Sequence, residues 1–87
     1  MSEAPRTVVH MMIPTLDLLD FEEAWPRWSG RKDEAIRARF GITPARYFQL
    51  LHRAIDTAEA LAARPMLVLR LRRLSEAAAR EQRRRAG

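Results

Sequence analysis

The chain has 87 residues, which leaves room for one small domain because independent domains rarely have fewer than about 50 residues, and its 47% apolar content suffices for a core. It has no cysteine, which excludes disulfides, thiolate zinc sites, iron–sulfur clusters and cysteine nucleophiles. No apolar run approaches the roughly 20 residues of a membrane span, so we expect a cytoplasmic protein without membrane contact. The net charge of +5 is typical of proteins that bind nucleic acid, and we therefore expect the protein to be nucleoid-associated.

The positive charge is concentrated toward the C-terminus. Residues 1–28 carry a net charge of −3, residues 29–63 carry +2 and residues 64–87 carry +6. Fifteen of the basic residues are arginines and one is a lysine. The planar guanidinium binds phosphate or guanine through paired hydrogen bonds. A GC-rich genome would also enrich arginine, so the composition favours nucleic-acid binding without establishing it.

The first 14 residues are expected to form an N-terminal arm. Residues 7–13 are apolar and β-branched and are closed by Pro14. This pattern fits a short strand, an extended arm packed on a neighbour, or a first helical turn. We favour the extended arm.

The first helix is expected to begin with Thr15 as its N-cap. Pro26 lacks an N–H group and should end or kink this helix near Trp25. Large apolar residues recur at helical spacing through this region, and we expect both tryptophans among them to anchor the core. The stripe consists of Leu18, Phe21, Trp25 and Trp28.

Two further helices are expected on either side of Gly41. The first spans residues 31–40, and Gly41 suits the left-handed position that commonly follows a helix end. Thr43 and Pro44 form the N-cap and first-residue pair that starts the next helix, over residues 44–56. Ile36 and Phe40 mark the buried side of the first helix, and the second has its inner face at Tyr47, Leu50, Leu51 and Ala54.

The C-terminal third predicts a short helical segment over residues 58–63 and then a longer helix from Pro65 to about Gln82. Residues 83–87 are expected to form a frayed basic tail. The fold class is therefore all-α, with about four helices in a single domain over residues 15–82. The apolar stripe of the last helix is expected at Leu67, Leu71, Leu74 and Ala78.

The segment from Asp33 to Leu51 has the sequence form of a helix-turn-helix. Its helices are separated by a glycine-led turn, in which Ile42 is expected to fill the corner. Arg37 stands where such motifs usually place a small alanine, which indicates either a looser crossing or a shifted register that uses Ala35 or Ala38. The alternative is an ordinary corner between two helices that contacts no nucleic acid.

If this unit binds DNA, residues 44–56 form the recognition helix in the major groove. Arg46 can donate two hydrogen bonds to guanine, and Gln49 can pair with adenine. Phe48 either completes the core or touches a thymine methyl group. The expected base contacts are Thr43, Ala45, Arg46 and Gln49. The expected phosphate contacts are Arg31, Lys32, Arg53, Arg70, Arg72 and Arg73.

The chain carries several short motifs between residues 20 and 74. They are D-F-E-x-x-W at 20–25, a glycine at 30, K-x-E-A-I-R at 32–37, F-G-I-T at 40–43, R-Y-F-Q at 46–49 and L-R-R-L at 71–74. Together they resemble a family of small, uncharacterised actinobacterial helix-turn-helix domain proteins, although Pro26 departs from the aromatic residue usual in that family. The resemblance implies a helix-turn-helix domain that regulates transcription. The run from Phe40 to Tyr47 is more distantly similar to the promoter-reading helix-turn-helix of sigma factors.

Nothing in the sequence indicates an enzyme, a cofactor or a metal site. His10 and His52 lie far apart in the sequence, and His52 with Asp56 forms only an i, i+4 pair. Three glycines do not form a phosphate-cradling loop. The carboxylates of the first helix are expected to be solvated rather than to act as acids or bases, and they are Asp17, Asp20, Glu22 and Glu23.

The sequence therefore predicts sequence-selective binding of double-stranded DNA by a small transcriptional regulator. A homodimer could form through the arm or through Leu67, Leu71 and Leu74, since two-fold dimers commonly read paired half-sites. Two alternatives remain: an adaptor module whose acidic first helix meets RNA polymerase or a regulator, and a nucleoid protein that binds DNA without sequence preference.

Overall fold

A computed structural model describes residues 13–86. Within this range the chain forms five α-helices and no strand, so the all-α prediction is confirmed. The predicted arm lies outside the described residues except for Ile13, which packs against the core, and Pro14. The helices are α1 (Thr15–Ala24), α2 (Gly30–Phe40), α3 (Pro44–Ala54), α4 (Ala58–Ala63) and α5 (Pro65–Ala86).

The ends of α1 follow from two prolines. Pro14 occupies the N-cap position and provides no side-chain cap, so Thr15 is the first helical residue rather than the predicted cap. At the other end the Trp25 N–H donates to the Phe21 carbonyl at 2.9 Å. Pro26 has no N–H with which to continue the ladder, and α1 ends at Ala24 as its position predicted.

Side-chain caps define the α2–α3 pair. The Ser29 hydroxyl accepts from the Lys32 N–H and the Thr43 hydroxyl accepts from the Arg46 N–H, each at 3.1 Å. Between the helices, Gly41 has φ 71°, the left-handed conformation that its position predicted. The turn comprises residues 41–43, and Ile42 is buried in its corner.

The core receives side chains from all five described helices, and its aromatic part lies where α1, α2 and α3 meet. Phe21 contacts the rings of Phe40 and Tyr47 edge-to-face, with centroids 5.3 and 5.4 Å apart, an arrangement that aromatic pairs favour. Ala35 packs at the edge of this core, whereas Arg37 and Ala38 are exposed. The fully buried large side chains are Tyr47, Leu19, Ile36 and Val68.

Trp28 corrects one core prediction. Trp25 packs against the core, but Trp28 is 69% exposed. α1 ends at Ala24, and Trp28 lies in the segment that follows Pro26. Helical spacing therefore no longer determines which way this side chain points.

α5 packs on the core only through its first half. Leu67 and Val68 are buried and Leu71 is partly buried, but Leu74 is 59% exposed and Ala78 is exposed. The observed apolar stripe is thus narrower than predicted. The helix continues to Ala86, past the predicted end near Gln82. Its second half extends beyond the other helices, and the longest dimension of the described chain is 54 Å.

Candidate nucleic-acid interface

α3 has two opposite faces of different character. Tyr47, Leu51 and Ala54 are buried on one side, with Phe48 and Leu50 partly buried beside them. Residues at i, i+4 and i+7 share a helix face, and the opposite side carries the exposed or partly exposed residues. These are Ala45, Arg46, Gln49, His52 and Arg53. The outward positions predicted for a recognition helix thus lie together on one surface, which we call the α3 face.

Arg46 and Gln49 contact each other on this face. The Arg46 Nη1 donates to the Gln49 Oε1 at 3.2 Å, across one helical turn. The third predicted base-contacting side chain, Thr43, is exposed, but its hydroxyl oxygen caps α3. The hydroxyl hydrogen remains a donor, since a hydroxyl can donate one bond while it accepts another.

The predicted phosphate-binding arginines divide into three groups. Arg31 is exposed at the start of α2, and Arg53 is exposed on the α3 face. Arg72 is partly buried, and its Nε donates to the Ile55 carbonyl at 2.6 Å, so it caps the C-terminal end of α3. Arg70 and Arg73 are exposed. Their helical positions direct them away from the side of α5 on which Arg72 meets Ile55.

Lys32 is not a phosphate ligand, which corrects the prediction. Its residue exposure is 2%, and its Nζ lies 2.8 Å from the Glu22 Oε2. Its Nζ also lies 5.5 Å from the centroid of the Phe48 ring. Phe48 therefore packs against the interior and does not belong to the α3 face alone. If this ammonium moved out to a phosphate, the Glu22 carboxylate would be left buried without a cation, which is energetically costly.

Glu22, Lys32 and Tyr47 form a buried polar network that links α1, α2 and α3. The Tyr47 hydroxyl donates to the same Glu22 oxygen at 2.6 Å. Glu22 is 3% exposed, so the expectation that it is solvated was wrong. Burial raises the pKa of Tyr47 far above its usual range, and the hydrogen bond and charge of Glu22 raise it further. The network fixes the orientation of α3 relative to the other two helices.

The remaining acidic residues of α1 are paired with the chain's own arginines. Arg64 lies 2.9 Å from Asp20 and 3.3 Å from Glu23, and Arg39 lies 3.9 Å from Asp17. These pairs are partly exposed, so each contributes little to stability. They do, however, reduce the negative charge that α1 could offer to a basic partner.

An apolar groove of about 330 Å³ lies beside the α3 face. Phe48 and Leu71 line it, and the exposed Trp28 and Leu74 stand at its edges. His52 faces it and is hydrogen-bonded through Nδ1 to the Ser75 hydroxyl at 3.2 Å. This groove was not predictable from helical spacing, which places Trp28 in the core.

The three leucines predicted to form a dimer contact, Leu67, Leu71 and Leu74, are not exposed together. Leu67 is 5% exposed and Leu71 is partly buried within the chain's own core, which leaves Leu74 as the exposed member. The arm, the other predicted dimer contact, lies outside residues 13–86 except for its last two residues.

Over residues 13–86, none of the helices combines the length and apolar character that crossing a membrane requires.

Residues 14–86 match the family described as "Protein of unknown function (DUF3263)". The chain belongs to this family. The match spans the five helices described between residues 13 and 86 of this DUF3263 chain, so the α2–α3 pair and the basic α5 both lie within the family region. No curated protein and no solved structure is significantly similar to the chain.

Proposed function

We propose that this DUF3263 chain binds double-stranded DNA sequence-selectively, with α3 in the major groove, and acts as a small transcriptional regulator of the cytoplasmic nucleoid. The observation that carries the proposal is the α3 face. A helix whose inner side is fixed by the core presents Ala45, Arg46, Gln49 and Arg53 together on its outer side. Arginine and glutamine are side chains that read base edges in the major groove.

The turn and caps that precede α3 support the same proposal. A recognition helix contacts bases through its N-terminal residues, so the start of the helix must be accessible and well defined. Thr43 and Pro44 fix that start, and Ala45 leaves space beside Arg46 because it carries only a methyl group. The buried bond between Tyr47 and Glu22 holds the opposite side of the same turn.

The charge distribution supplies candidate backbone contacts. Arg31 and Arg53 would hold phosphates near the groove, and the arginines of α5 would contribute from the projecting half of that helix. Phosphate contacts position a protein on DNA while base contacts specify the sequence. With about four or five phosphates neutralised, the logarithm of the affinity should fall with the logarithm of the salt concentration with a slope of roughly −4.

Selection from a pool of random DNA duplexes tests the proposal. We expect one short sequence to be enriched, and binding of that duplex to weaken steeply as salt rises. Arg46→Ala should reduce its affinity by about 5- to 150-fold and relax the base preference. The matched variant Arg53→Ala should instead weaken all duplexes alike and make the salt slope shallower by about one. Salt-dependent binding with no enriched sequence would indicate the non-specific nucleoid protein instead.

The apolar groove favours a second candidate, a protein-interaction module. Trp28 and Leu74 are large apolar side chains that are 69% and 59% exposed beside it, and exposed apolar patches often mark interaction sites. In this case Trp28→Ser abolishes association with the partner, while DNA binding is absent at every salt concentration. If DNA binding is present and Trp28→Ser leaves it unchanged, the α3 face is the functional surface.

A further inference from the structure

We infer that Arg46 and Gln49 act as one unit that reads two consecutive guanines on one DNA strand, an inference that rests on the proposed function. The observation is the hydrogen bond from Arg46 Nη1 to Gln49 Oε1 at 3.2 Å. The sequence alone predicts that Gln49 pairs with adenine. The hydrogen bond changes this expectation, because it engages the oxygen with which Gln49 would accept from adenine.

The bond removes an acceptor from the α3 face and leaves donors. Gln49 offers one acceptor oxygen and two N–H donors, and Arg46 offers donors only. When Arg46 donates to the Gln49 oxygen, the groups still directed outward are N–H donors of both side chains. The preferred base edge is then one that consists of acceptors.

Guanine has this edge, and adenine does not. In the major groove guanine presents O6 and N7, both acceptors, whereas adenine presents the acceptor N7 beside the donor N6. The second lone pair of the Gln49 oxygen could still accept from N6. That arrangement would place the positive edge of the adenine amino group against the Arg46 guanidinium, which is electrostatically unfavourable.

The spacing of the two residues fits adjacent bases. Three helical residues rise about 4.5 Å along the helix axis, which is close to the roughly 3.4 Å separation of neighbouring bases on one strand. The Thr43 cap holds the Arg46 backbone in the first turn of α3. Arg46 is partly buried and Gln49 is exposed. The bond therefore lets the more restricted Arg46 side chain orient the more exposed Gln49 side chain.

The test compares duplexes selected by the whole chain and by two variants at position 49. Gln49→Glu keeps an oxygen for Arg46 but loses both N–H donors, whereas Gln49→Lys keeps donors and loses the acceptor. For the native chain we expect a GG step. Gln49→Lys should retain guanine at both positions. Gln49→Glu should retain the Arg46 guanine and lose the preference at its neighbour, or change it to cytosine, whose N4 donates to a carboxylate.

A second measurement uses the selected duplex with 7-deazaguanine in place of each guanine in turn. Removal of either N7 should weaken binding by several-fold, while the same change at a guanine outside the step should leave the affinity unaltered. An enriched site with adenine beside the guanine, or an unchanged site for Gln49→Glu, overturns the paired reading but leaves DNA binding in place. The absence of any enriched sequence overturns both the paired reading and the proposed function.

Discussion

Lys32 is the residue whose environment differs most from the sequence prediction, and its pair with Glu22 gives the sharpest stability test. Lys32→Met should lower the free energy of unfolding by about 3–5 kcal/mol, because it leaves the Glu22 carboxylate buried without its cation. The double variant Glu22→Leu/Lys32→Met should recover part of this loss, since it removes both charges but also removes the carboxylate that accepts from the Tyr47 hydroxyl. Urea denaturation at neutral pH measures both variants.

The same variants distinguish a buried lysine from a phosphate ligand. If Lys32 held a phosphate, Lys32→Met would leave the urea midpoint unchanged and make the salt slope of DNA binding shallower by about one. We expect the reverse, with a reduced urea midpoint and an unchanged slope for the folded protein.

Tyr47 makes stability depend on alkaline pH. Its pKa is raised in the folded chain, while the unfolded chain titrates near the ordinary value of about 10. Above that pH the unfolded state loses the proton and the folded state retains it, so the free energy of unfolding falls as pH rises. Below that pH the contribution is fully present.

Tyr47 is the only tyrosine, so the near-ultraviolet tyrosinate band reports this group alone. We expect the band to appear together with unfolding rather than before it. Tyr47→Phe should remove this part of the loss of stability at alkaline pH, and the difference between the two proteins isolates the contribution of Tyr47. A tyrosinate band that appears near pH 10 in the folded protein would contradict the buried hydrogen bond to Glu22.

At the scale of the elements, two glycines form a matched pair. Gly41 has φ 71° in the turn before α3, so Gly41→Ala should destabilise the chain by about 1–2 kcal/mol. Gly30 begins α2, and an added Cβ there meets no atom within 4 Å. Gly30→Ala should therefore be neutral or stabilising by about 0.5–1 kcal/mol. Thermal unfolding of both variants measures whether the changes in stability have opposite signs. Equal changes in stability would contradict the left-handed conformation of Gly41 as the cause.

The helix boundaries were largely predictable because they depend on local chemistry. Pro26, Gly41 and the Thr43–Pro44 pair act through backbone geometry and capping bonds within a few residues. The observed ends of α1, α2 and the start of α3 coincide with these residues. The α3 face was also predictable, since helical spacing separates outward from inward positions once the helix limits are known.

The buried network was not predicted, because it depends on contacts between helices. The charge of Lys32 suggested a phosphate contact, whereas its pairing with Glu22 joins residues from two different helices. A signal was nonetheless present. Lys32, Ile36 and Phe40 recur every four residues, which places the lysine on the buried stripe of α2. The prediction that Trp28 lies in the core was wrong for a different reason, since the helical spacing was extended to a residue beyond the end of α1.

At the scale of the whole molecule, the chain divides into a packed core and a projecting basic helix end. From Glu76 onward the residues of α5 are exposed, apart from the partly buried Glu81, which pairs with Arg84 and Arg85. α5 has 22 residues and is therefore about 33 Å long, and its exposed end projects beyond the packed core. It can add charge to an interface without altering how α3 is held.

Truncation after Glu76 removes the projecting end of α5 and leaves the packed core, so it separates the contribution of this end to DNA binding from the stability of the core. The free energy of unfolding should change by no more than about 0.5 kcal/mol, because the removed side chains do not pack on the core. The truncated chain lacks Arg80 and residues 83–85, so the salt slope of DNA binding should become shallower by about two, the part that Arg31 and Arg53 do not supply, with the selected sequence unchanged. Glutamine at the four arginine positions should reproduce the change in slope while the helix is retained. A truncated chain that unfolds, or that loses an oligomer seen by sedimentation for the full chain, would show that the end of α5 packs against a second copy rather than against DNA.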